Sequence, residues 1–162
     1  MKKRMIIIAA GIPLLLLMVI GVKALFDRNA PKPINEQTPW GATEYADAKD
    51  LSKAAGVEIN DLKAIPFDAK EIIYQHYENG VAEIIYQNET DALAYRVSKS
   101  AADDEAYSDL HTLNLKGTVI TLKGKGKKVF VAEYSKDGNT HSIHIQNGID
   151  EKGMRELLDK NR

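Results

Sequence analysis

No cysteine occurs in the 162 residues of this chain. That absence removes disulfides, thiol nucleophiles, cysteine-ligated zinc and iron–sulfur clusters together, and with them a lipid anchor on a cysteine freed by signal cleavage. The domain must fold on its apolar core alone. Aromatic residues make up only 7% and include a single tryptophan, Trp40. Residue combinations that carry recognisable chemistry are missing too. No serine sits in a strand–turn–helix elbow, and nothing ties a particular serine to a histidine and an aspartate. No cofactor motif and no internal repeat are found.

The first 26 residues contain no acid. Lys2, Lys3 and Arg4 precede an uncharged apolar run from Met5 to Val22, 18 residues long. As a helix that run would reach about 27 Å, close to the hydrocarbon thickness of a bilayer. The three leading cations, against Lys23 and Arg28 offset by Asp27, place residues 1–4 as a cytoplasmic tip, 5–26 as a transmembrane signal-anchor helix and the remainder outside the cell. The competing reading is a cleavable signal peptide and a secreted domain. Signal-peptide apolar cores run about 7–15 residues, and Val22-Lys23-Ala24 is a poor small-x-small site. Gly11 and Pro13 suit an export signal, although membrane helices also tolerate them. Residues 27–162 carry 18 cations against 23 acids, a net charge of −5. Such a domain is not expected to bind nucleic acid nonspecifically, and its mean field opposes close approach to an anionic membrane.

Residues 30–39, APKPINEQTP, hold three prolines and little to bury. They predict that 27–39 is a stalk of extended polyproline II character, long enough to hold a domain up to about 30 Å from the membrane. Residues 40–162 then suffice for one core, with Trp40 packing at its first turn. Asp47 to Gly56 reads as a short helix capped by Asp47 and stopped by Gly56, with Ala48, Leu51, Ala54 and Ala55 on one face. Glu71–Tyr77, Val81–Gln87 and Asp91–Ser98 read as a meander turning at Glu78-Asn79-Gly80 and Asn88-Glu89-Thr90. Residues 99–110 form an acidic interruption. Strands resume at His111–Lys116, Thr118–Lys123, Lys128–Tyr134 and Thr140–Ile145, separated by Gly117, by Gly124-Lys125-Gly126 and by Asp137-Gly138. Asp150 caps a closing helix, with Ile149 and Met154 as a hydrophobic staple. The expected fold is α+β: a single curved antiparallel sheet of about seven strands, with an N-terminal and a C-terminal helix against one face.

The order Pro39-Trp40, a helix ending Ala54-Ala55-Gly56, Arg96 closing a strand, Val119-x-x-Leu122-Lys123-Gly124, Ala132-x-Tyr134, and Gly138 before a strand bearing Ser142 resembles a family of extracytoplasmic domains. These occur on membrane-anchored proteins and lipoproteins of Gram-positive bacteria and are classed as a domain of unknown function. The likeness spans residues 39–160. Where such domains carry asparagine before Pro-Trp, an aromatic after Ala-Ala-Gly and a later tryptophan, this chain has Thr38, Val57 and Tyr134. Some related domains stand outside the membrane on anti-sigma-factor-like proteins, which implies envelope sensing. Residues 1–4 are too few to hold a sigma factor.

Lys123-Gly124-Lys125-Gly126-Lys127-Lys128 has the lysine and glycine density of a phosphate loop, but a strand follows it instead of a helix. It reads as a solvated hairpin tip whose Lys125, Lys127 and Lys128 could touch an envelope protein or an anionic envelope polymer. His141 and His144, three apart on a strand, point to opposite faces and cannot share a metal. Asp103-Asp104-Glu105 with Asp109 lacks the alternating ligands and glycine turn of a calcium loop, and Tyr107 is expected to anchor that segment on the sheet. Period-two counting puts Tyr74 and His76 on one sheet face and Tyr77 on the other, while Tyr86 and Tyr95 sit on the next strands. The expected function is a noncatalytic membrane-anchored binding or sensing domain with no cofactor and no metal. The alternative is a small-molecule or lipid-binding module using the exposed sheet face, and a hydrolase ranks third.

Overall fold

Asp47 opens helix α1 (Ala48–Ala55) in extended geometry, and its carboxylate accepts from the Asp50 amide at 2.8 Å. Gly56 closes it in the left-handed region (φ 64°), where its N–H reaches the Ser52 carbonyl. A residue with a Cβ would be strained there. The last helix, α2 (Glu151–Asn161), begins the same way: Asp150 accepts from the Gly153 amide at 2.7 Å. The computed structural model describes residues 33–35, 41–100, 107 and 109–161. The apolar run 5–22 expected to be an anchor, Trp40, residues 103–105 and most of the segment expected to be a stalk lie outside the described residues. Among those described, no helix is long and apolar enough to cross a membrane.

The strands are β1 (Pro33–Asn35), β2 (Ala42–Tyr45), β3 (Glu71–Tyr77), β4 (Ala82–Gln87), β5 (Ala92–Ser98), β6 (Asp109–Leu115), β7 (Thr118–Lys125), β8 (Lys128–Lys136) and β9 (Asn139–Ile149). They form one antiparallel sheet in the order β1-β2-β3-β4-β5-β9-β8-β7-β6. Among the described residues the fold is therefore α+β with one sheet and two helices. All seven strands read from the sequence are present, and β2 and the three-residue edge strand β1 are added. β1 falls inside the segment read as a stalk: Pro33 pairs with Tyr45 and Asn35 with Glu44. An edge strand tolerates proline because the missing donor faces away from the ladder. One compact unit accordingly spans Lys32–Arg162.

Chain order explains most of the sheet. β2 to β5 form a meander at one side; β6 lands at the far edge, and β7, β8 and β9 return until β9 pairs with β5. The turns Lys116-Gly117 and Asp137-Gly138 have positive φ at both positions (49° and 85°, 51° and 76°), the geometry that matches strand twist in two-residue hairpins. The turn between β7 and β8 lies one step later than the sequence suggests. Gly124 and Lys125 belong to β7, and the turn is Gly126-Lys127, with Gly126 at φ 64°. Gly124 serves a register shift between β7 and β8, where an added Cβ would overlap the Lys128 carbonyl oxygen.

Alternation divides the sheet into two faces. Ile84, Leu93, Ile120, Leu122 and Ile143 join Leu51 of α1 and Met154, Leu157 and Leu158 of α2 in one core cluster. Ile149 packs at the edge of this cluster, to which fully buried Met154 also belongs. The segment between α1 and β3, in which no element was expected, is tied down by side chains. Ser52 Oγ donates to the Ile59 carbonyl and accepts from its amide; Asn161 does the same for Ala64; Tyr74 and Tyr86 both donate to Asp61. Burial and the Asp61 carboxylate push the Tyr74 phenol up to about 12, so it remains a donor.

Candidate functional site

Three places gather polar or cationic groups. The first is the turn between β7 and β8. Lys125, Lys127 and Lys128 are exposed there, whereas Lys123 turns to the other sheet face and meets Glu133 at 3.4 Å. Lys127 and Lys128 stand at the rim of a cleft of about 520 Å³ between this turn, residues 64–66 and α2. Ile65, Pro66, Ile149 and Leu157 supply its apolar wall, and Lys160 adds a third ammonium. Lys125 does not line it. Lys128 Nζ donates to the Asn147 carbonyl at 2.8 Å, which fixes its stem across the mouth. Asp150 and Glu156 are the acids at the rim. Asp150 is engaged in capping α2, and Glu156 lies 4.0 Å from Lys152.

The second place is a row across the sheet face opposite the helices. Register brings Gln75, Glu83, Arg96, Ser142 and Glu133 side by side on β3, β4, β5, β9 and β8. Glu83 is 1% exposed and accepts three bonds: Arg96 Nε at 2.5 Å on one oxygen, Tyr77 Oη at 2.7 Å and Gln75 Nε2 at 2.5 Å on the other. Burial and the neighbouring carboxylate raise the Tyr77 phenol, keeping it protonated as a donor. His144 Nε2 lies 3.1 Å from Ser142 Oγ and 3.5 Å from Arg96. The centre of this face is closed, with Gln75, Glu83, Val131 and Ser142 all buried.

The third place surrounds His141, on the helix side of the sheet and, as alternation predicts, on the opposite face from His144. Its Nδ1 meets the Tyr95 hydroxyl at 2.8 Å, and its ring stacks on Tyr134 at 5.2 Å. A polar hollow of about 230 Å³ opens beside Tyr95 and His141 toward Asp61, Lys63 and Lys136. Among the described residues no three metal-ligating side chains converge. Tyr107 stacks on Phe130 of β8 at 5.2 Å; residues 101–106 and 108 on either side of it lie outside the described residues.

Burial lowers the basicity of both His76 and His141, with the Lys136 charge adding to the effect at His141. His76 Nε2 is buried without a partner among the described residues. A histidine held neutral in the fold binds its proton more readily once unfolded. Its stability contribution is therefore complete above the unfolded value of about 6.5 and lost as pH falls through that value toward the lower folded one. The melting temperature is expected to fall between about pH 7 and pH 5.5, and the slope should flatten in a His76→Leu/His141→Gln variant. An equal slope in that variant, followed by circular dichroism, would assign the effect to other groups.

Compared with known proteins, the chain matches no family model, no curated protein and no solved structure.

Proposed function

We propose that this chain is a noncatalytic binding or sensing domain, held at the outer face of a cell membrane by residues 5–26, that contacts an anionic envelope component through Lys125, Lys127 and Lys128. One observation carries the reading: three exposed lysines share a single turn on a region of net charge −5. A local cationic patch on an acidic body gives an oriented approach to a polyanion and repels it elsewhere. The resemblance to extracytoplasmic domains of membrane-anchored Gram-positive proteins points the same way. Support for a binding role over hydrolysis comes from Ser142. It is 2% exposed, and its neighbour His144 shares Nε2 with Arg96, so the hydroxyl has no access to a substrate carbonyl. Glu83 is occupied in the same way, with three donors already on its oxygens.

The test uses the full chain in zwitterionic nanodiscs and a soluble glycerol-phosphate polymer. Replacing Lys125, Lys127 and Lys128 with serine should change folding stability by no more than about 0.5 kcal/mol each. At about 1 kcal/mol per lysine facing an anionic surface, polymer binding at low salt should weaken on the order of a hundredfold. The gap between wild type and variant should narrow with added salt, because the screening length shrinks from about 30 Å at 0.01 M to 8 Å at physiological ionic strength. Unchanged affinity at low salt, with folding intact, would reduce the turn to a solubilising feature.

A further inference from the structure

The cleft beside the lysine turn has a feature that a polyanion does not use: its wall is hydrocarbon. Ile65, Pro66, Ile149 and Leu157 face a space of about 520 Å³, within the range of about 300–1,000 Å³ typical of small-ligand sites. Such a wall gains nothing from a phosphate polymer lying across the rim. It gains from an alkyl chain, which leaves water along its whole length. The charged groups are segregated in the matching way. Lys127, Lys128 and Lys160 are exposed at the rim, Asp150 is tied to the first turn of α2, and the Glu156 carboxylate lies near Lys152. Lys128 spends one of its three donors on the Asn147 carbonyl and keeps the others for a ligand.

We infer that this cleft takes one molecule of a single-chain amphiphile, its alkyl chain against Ile65, Ile149 and Leu157 and its anionic head at Lys127, Lys128 and Lys160. The inference rests on the lysine turn being a contact site and adds the chemical class of what it contacts. The walls are well fixed for that purpose. Residues 64–66 are held to α2 through the paired bonds of Asn161 with Ala64, at 3.0 and 2.7 Å. Gly148, at φ 58°, lies against the Phe130 ring so closely that a Cβ there would come within 2.9 Å of it.

The experiment uses the full chain in phosphatidylcholine nanodiscs and a decyl phosphate bearing a photoreactive diazirine near its chain end, with labelled peptides mapped by mass spectrometry. Labelling is expected in the peptides containing residues 64–66 and 149–157. Unlabelled alkyl phosphates should compete with affinities rising by up to about fourfold per added methylene until the cleft is filled. Inorganic phosphate should not compete, and decyl trimethylammonium should compete at least tenfold less well than decyl phosphate. Ala64→Phe, which narrows the cleft, should cut labelling at least tenfold while leaving glycerol-phosphate polymer binding unchanged. Ile65→Asp, which puts an anion on the apolar wall, is the second variant, each used only if its thermal transition is retained. Competition by inorganic phosphate equal to that of decyl phosphate, no dependence on chain length, or labelling only outside the cleft would overturn the amphiphile while leaving the lysine contact standing. Loss of the polymer response to the lysine substitutions, with labelling of the cleft intact, would remove the earlier reading instead.

Discussion

Replacing Arg96 with alanine is expected to cost about 3–5 kcal/mol of folding stability, because it strands a buried carboxylate. Glu83 is 1% exposed and depends on Arg96 for the charge opposite its own; Tyr77 and Gln75 supply only neutral donors. Arg96 itself keeps 35% of its side chain exposed, so the converse loss is easier for water to relieve. The asymmetry makes the account testable. A Glu83→Leu/Arg96→Leu variant, which removes both charges and fills the space with hydrocarbon, should be more stable than Arg96→Ala alone. Thermal or urea unfolding measures both. A loss below about 1 kcal/mol for Arg96→Ala, or a double variant worse than the sum of the singles, would mean that the row does not hold the sheet in the way its geometry indicates.

The second large effect is expected at Gly124. A methyl group there overlaps the Lys128 carbonyl oxygen, which is backbone and cannot rotate away. The register shift between β7 and β8 must then change, at a cost of about 1–3 kcal/mol typical of overpacking. On the order of 4 °C per kcal/mol, Gly124→Ala should melt several degrees below wild type. It should also displace Lys127 and Lys128, because the bulge aims the turn that carries them, and polymer binding should fall even though no charge is lost. Gly126→Ala offers the contrast: it meets no atom within 4 Å and strains only through its φ of 64°. Equal melting temperatures for wild type and Gly124→Ala would show that the strands accommodate the methyl without moving.

Local features were legible in the sequence because their causes are local. Asp47 bounds α1 with its carboxylate and Gly56 with its freedom at positive φ, and Gly80, Lys116-Gly117 and Asp137-Gly138 turn the chain at positive φ. Alternation also separated His141 from His144 and Tyr74 from Tyr77. Pairing of β5 with β9 was not legible, since 40 or more residues separate partners such as Leu93 and Ile145 and no turn sets their register. The buried row had a faint signal: Glu83 stands between Ala82 and Ile84 in a strand otherwise rich in apolar residues, and Arg96 between Tyr95 and Val97. Only the sheet register shows that the two face each other. Within the lysine cluster, the pairing of Lys123 with Glu133 shows only in the structure, and the cleft beside the turn depends on where residues 64–66 settle. That in turn depends on Asn161, nearly a hundred positions away in the chain. Gly124 was misplaced into the turn because a glycine needed for close approach and one needed for positive φ look alike in a sequence.

The central claim is that the lysine turn is the side on which the domain meets an anionic envelope component. Placing a photocrosslinking side chain at Lys127 in the full chain, in living cells, tests it most directly, with the same side chain at exposed Asn79 between β3 and β4 as the comparison. The account predicts anionic envelope material captured from position 127, absent from position 79, and lost when Lys125 and Lys128 are replaced with serine. Equal capture from both positions, or capture at 127 that survives those replacements, would contradict it.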